Sequence, residues 1–129
     1  MSTLEWLLRC ATHAAVLTLL LRAGAAKLAV PGPAAGALSE LRPGHGPVPA
    51  GAVRAFAAAE LLVALATVVP ALRAAAAAAV ALLGAGFALA GALGSARRSH
   101  VPCGCFGAGG TRPLGASGVW FGLLFVAAG

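Results

Sequence analysis

Residues 101–110 read VPCGCFGAGG, and they hold the most reactive groups in the chain: Cys103 and Cys105, with only Gly104 between them. Two thiols this close can form an unusually small disulfide ring, and glycine is the residue type that accepts the backbone conformation such a ring demands. A strained disulfide is more oxidising than a relaxed one, which suits a donor or relay of oxidising equivalents better than a permanent staple. Arg97, Arg98 and His100 come just before the pair, and positive charge favours thiolate, the reactive form. A helix N-terminus beyond the loop acts in the same direction. Pro102 stiffens the approach and Phe106 offers an apolar shield. Two other readings stay open. Cys103 and Cys105 with His100, and His45 as a further ligand, could bind zinc or copper(I), although one intervening residue is fewer than the usual two to four of zinc knuckles. The pair could also be inert.

The rest of the polar inventory is short. The chain has no Asp, Asn, Gln or Tyr, which removes paired-aspartate chemistry, a Ser-His-Asp triad and carboxylate-rich calcium or magnesium cages. Three cysteines do not make a secreted disulfide framework. Cys10 reads as a small buried hydrophobe and His13 as a packing residue whose ring is hydrogen bonded.

These residues must be positioned by a very apolar chain. Of its 129 residues 60% are hydrophobic and only 9% charged, against about a quarter charged in soluble domains, and the mean hydropathy is +0.95. A soluble alanine-rich bundle needs a charged outer face, which this sequence cannot supply. The net charge of +6 comes from basic residues that mostly bracket apolar segments, with Trp6 and Trp120 near segment ends as interfacial anchors; that patterning argues against nucleic acid. Four apolar spans are expected, at about 4–30, 53–72, 74–94 and 114–129, in a single domain covering 1–129. Segment 74–94 has no charge and is long enough to cross about 30 Å of hydrocarbon. The Pro- and Gly-rich 31–51 and the cysteine loop 95–113 connect the spans, the former with at most one short helix. Spanning segments satisfy their backbone internally as helices, so the expected class is all-α, an integral four-helix membrane bundle. Glu5 and Arg9 make a poor head for a cleavable signal, and Arg22 and Lys27 follow too soon.

Apart from Glu5, Arg9 and Arg54 near the span ends, three charges fall within these spans, Arg22, Lys27 and Glu60. Arg22 and Glu60 each sit about 10 Å below the same surface if the spans are antiparallel, which makes them candidates for an ion pair, with Lys27 as the competing partner nearer the surface. Such a pair either fixes helix register or tunes the thiols.

The CGCFG element after Pro102 resembles the MauE family of membrane proteins, associated with methylamine utilisation and related to DoxX-like proteins. Matching stretches appear in order: GAAKLAVP at 24–31, ELLVAL at 60–65, then Arg112-Pro113 and Trp120. The resemblance implies a four-helix membrane protein linked to maturation of the methylamine dehydrogenase small subunit, a disulfide-rich periplasmic chain. It points to Cys103, Cys105, Phe106 and Gly107, with Lys27 and Glu60 in second rank. The last span departs from the family pattern in being short and lacking an Arg-Asn pair, and Arg22 stands where an apolar residue is usual.

The expected role is a thiol-disulfide protein, an oxidoreductase in the strict sense if it turns over, acting on a protein client or a thioredoxin-like partner. Its location in lipid makes a membrane quinone the natural electron acceptor. The alternative is a non-enzymatic accessory protein that binds a soft metal or a partner through the loop. A multi-pass protein of the cell membrane is expected, but two arguments conflict on its orientation. Lys27, Arg42, Arg54, Arg97, Arg98 and Arg112 share the cysteine-loop face, against Arg9 and Arg73 on the other, which puts the thiols in the cytoplasm. A thiol oxidant for periplasmic clients presents them outside, where disulfides persist.

Overall fold

The computed structural model describes residues 2–44, 46–97 and Leu123. Among them the regular structure is entirely helical: α1 (Thr3–Ala29), α2 (Gly32–Leu41), α3 (Ala50–Ala66), a 3-10 turn (Pro70–Leu72) and α4 (Arg73–Ala96).

Each boundary has a local cause. At the start of α1 the Ser2 side chain accepts from the Glu5 N–H while the Ser2 N–H donates to the Glu5 carboxylate, a reciprocal capping box that satisfies donors the first turn would leave bare. Glu5 thus has a structural task. Pro31 precedes α2 and Pro49 precedes α3. Proline lacks the N–H that a helix interior needs, so it is suited to a helix entrance. Between them Gly44 turns the chain at φ 83°, a conformation that favours glycine. Ser39 holds this turn against α2: its hydroxyl donates to the Ala35 carbonyl and accepts from the Val48 N–H.

The second apolar segment was expected to run to residue 72, but α3 closes at Ala66. Pro70 would clash with the carbonyl four residues earlier, and it pushes Val69 out of the helical region, to φ −90° and ψ 115°. Thr67 turns its hydroxyl back to the Ala64 carbonyl. After the 3-10 turn α4 runs without interruption. The fourth expected segment lies outside the described residues, Leu123 excepted.

The stripes that pack are spaced for helices. α1 buries Val16, Leu20, Ala23, Gly24 and Lys27; α3 buries Val53, Ala57, Glu60 and Ala64. These three- and four-residue steps form one face of each helix. Val16, Leu20, Ala64 and Val80 form the core cluster, joined by Leu83 and Phe87 from α4. Gly24 approaches Ala57 and Leu61 while Leu20 clusters with Ala64, so α1 and α3 run antiparallel.

Small residues allow this contact. A Cβ built on Gly24 would lie 2.8 Å from Leu61 Cγ and 3.1 Å from the Ala57 carbonyl oxygen. The close approach of α1 to α3 therefore requires glycine. We expect Gly24→Val to destabilise the protein by about 1–3 kcal/mol. Gly36→Ala on α2, where an added Cβ meets nothing within 4 Å, should be neutral or stabilising by up to about 1 kcal/mol. Thermal unfolding of the two purified variants checks both.

Two helices, Thr3–Ala29 and Pro70–Ala96, are long and apolar enough to cross a membrane. They do not resemble the core helices of a soluble protein, because most of their apolar side chains face outward: Leu4 is 66% exposed and Leu82 74%.

Candidate functional site

The chemistry among the described residues centres on one ion pair. Lys27 Nζ donates to both carboxylate oxygens of Glu60, at 2.9 and 2.8 Å. Lys27 is 3% exposed and Glu60 fully buried. Each ion alone would be costly at such a depth; two charge-assisted bonds in a shared geometry offset that cost. The ammonium also lies 5.7 Å from the centre of the Phe56 ring and 5.5 Å from that of Phe87, within the range of cation–π attraction. Glu60 and Phe56 of α3 and Phe87 of α4 thus converge on the one nitrogen that α1 supplies. No buried side-chain polar atom among the described residues lacks a hydrogen-bond partner.

The leading expectation for this pair was Arg22 with Glu60, and the structure corrects it. Arg22 is exposed and the partner is Lys27. The reason is rotational rather than axial. Five residues along a helix turn the side chain by about 140°, so Arg22 and Lys27 cannot share a face. Lys27 belongs to the stripe of Val16, Leu20 and Ala23 that packs on α3; Arg22 does not.

Arg97 has a definite position too. Its Nη1 donates to the carbonyls of Glu40 and Leu41, at 2.8 and 3.2 Å, and so caps the last turn of α2 from the end of α4. Helix C-termini carry unpaired carbonyls and partial negative charge, which a guanidinium satisfies. This arginine, expected to promote thiolate and counted among the basic residues of that face, therefore also links the end of α4 to the last turn of α2.

Cys10 differs from expectation: it is exposed and free rather than buried, because it lies off the packed stripe of α1. His13 is exposed as well, with Nδ1 2.9 Å from the Arg9 carbonyl; its ring is hydrogen bonded but not packed in a core. Cys103, Gly104, Cys105, Phe106, Gly107 and His100 lie outside the described residues, and with them the proposed metal ligands. Phe56 and Phe87 are site residues that the sequence reading missed. Their signal was available: Phe56 stands one helical turn before Glu60.

The family model described as "Methylamine utilisation protein MauE" matches residues 4–129. No curated protein and no solved structure matches the chain. The matched span takes in the Lys27–Glu60 pair and the Cys-Gly-Cys element together, and membership carries with it involvement in methylamine utilisation. The chain belongs to the MauE family.

Proposed function

We propose that the protein is an integral membrane thiol-disulfide protein whose Cys103 and Cys105 alternate between dithiol and disulfide to assist the oxidation or maturation of a partner protein. The observation that carries this reading is the Cys-Gly-Cys element itself, in a family-matched chain whose remaining polar groups are few. Within methylamine utilisation the natural client is the disulfide-rich small subunit of methylamine dehydrogenase. A thioredoxin-like partner that exchanges with the pair is the other protein contact.

The outward-facing apolar helices support placement in a bilayer. In this reading residues 1–129 form one multi-pass, four-helix unit in the cell membrane, related to DoxX-like proteins, with α1, α3 and α4 as spans and the segment from about Leu114 as the last. The Lys27–Glu60 pair ties the last turn of α1 to the middle of α3. Arg97 fixes the start of the loop, and the first thiol follows six residues later in the chain.

Labelling intact cells with a membrane-impermeant maleimide, with and without prior reduction, tests this function. The reading expects Cys103 and Cys105 to react from outside only after a reductant. Labelling that requires a breached membrane and no reductant contradicts an extracytoplasmic disulfide. It favours the second reading, in which Cys103, Cys105 and His100 hold a soft metal or dock a cytoplasmic partner, as the count of basic residues on that face would have it. Stoichiometric zinc or copper that is lost on Cys103→Ser would mark that reading.

A further inference from the structure

A cavity of about 500 Å³ opens beside the ion pair, lined by Lys27, by Phe56 and Val53 of α3, by Leu38 of α2, and by Gly86 and Phe87 of α4. Its size falls within the roughly 300–1,000 Å³ of small-molecule sites, which are mostly apolar with a few fixed polar groups. Here the wall is almost wholly apolar and the polar group is Lys27. An ammonium has three N–H donors. Two go to Glu60, and among the described residues the nitrogen has no third hydrogen-bond acceptor. An acceptor atom in the cavity would complete it.

The electrostatics select the occupant. Glu60 already neutralises Lys27, so an anionic headgroup would bring an unpaired negative charge into an apolar enclosure, at high cost. A neutral molecule with a carbonyl oxygen brings none. Phe56 and Phe87 lie near the nitrogen, and Phe56 on the cavity wall gives an aromatic ring against which a flat conjugated ring can pack. Leu38 and Leu82, also on that wall, are themselves exposed, so an apolar tail can continue along apolar surface.

We infer that this cavity binds a neutral prenylated carbonyl compound of the membrane-quinone class, with one ring carbonyl accepting a hydrogen bond from Lys27 Nζ. Its use as an electron acceptor rests on the thiol reading above; its binding does not. In that use the Cys103 and Cys105 thiols lose two electrons and two protons as the sulfur–sulfur bond forms, and the quinone takes up both as the quinol. Lys27 is a positioning residue in this scheme.

The test is binding of a decyl-substituted benzoquinone to the full-length protein in detergent, read as quinone retained per chain after gel filtration at matched micelle concentration. Gly86→Phe is chosen to fill the cavity from α4, at a position where an added Cβ meets nothing within 4 Å. Leu38→Trp blocks it from α2. We expect about one quinone per wild-type chain, at least a tenfold weaker affinity in each blocking variant, and no fall in melting temperature for either. The Cys103→Ser/Cys105→Ser double variant should bind as wild type does, which separates this site from the thiol mechanism. Equal retention by wild type and both blocking variants would show mere partition into micelles and overturn the proposal. Displacement of the quinone by equimolar palmitate would overturn it in favour of an anionic lipid.

Discussion

Lys27→Met should unfold the protein readily, and Lys27→Met/Glu60→Leu should restore the fold while leaving the protein inactive. The single change removes both hydrogen bonds to a carboxylate that has no exposure to solvent. Removing one partner of a buried ion pair typically costs about 3–5 kcal/mol, because the other charge is left uncompensated. The double change replaces the pair with apolar side chains of similar volume, an exchange that is commonly neutral or stabilising by about 1–4 kcal/mol. Fold and function should therefore separate. Thermal unfolding reads the first, and support of methylamine-dependent growth in a host lacking its own copy reads the second. A double variant that is both stable and active would reduce the pair to a register lock between α1 and α3. The position of Lys27 at the cavity argues against so limited a role.

The second large effect concerns the thiols. Cys103→Ser and Cys105→Ser should each reduce function to background without preventing membrane insertion, because a hydroxyl cannot replace a thiolate in exchange or in disulfide formation. Cys10→Ser should retain activity. Cys10 lies 17 residues before Lys27 on the same helix, about 25 Å along its axis, and in the proposed four-span arrangement it is on the face opposite the loop pair. Growth on methylamine and membrane fractionation of the three variants check this. Full activity in both loop variants would rule the mechanism out.

How much was legible in the sequence follows from what varies along it. α1 and α4 could be read from length and hydropathy; the missing N–H of Pro70 also signals the break after α3, although the second span was expected to run through it to residue 72. The short α2 fits the one helix allowed in the Pro- and Gly-rich connection. The inward face of each helix could not be read this way. Where nearly every residue is Ala, Leu, Val or Gly, no polar face sets the rotation of the helix, so hydropathy did not distinguish Lys27 from Arg22 as the partner of Glu60. Axial depth was used instead, and it favoured Arg22. The deciding signal was steric: Gly24 allows α3 to approach the side of α1 that carries Lys27. Cys10 was misjudged for the same reason, since a small residue on an apolar helix can face either way. The cysteine pair was conspicuous in sequence because it is chemically unlike its surroundings.

In the proposed function Cys103 and Cys105 cycle between two redox states in the working protein. The most direct measurement is to quench cells with acid while the partner is being matured, alkylate free thiols, reduce, alkylate again with a heavier reagent, and weigh the peptide that carries both cysteines. The pair should be found as a mixture of dithiol and disulfide that shifts toward dithiol when the cells are starved of electron acceptor. A pair that stays in one state throughout, fully reduced or fully oxidised, would contradict it.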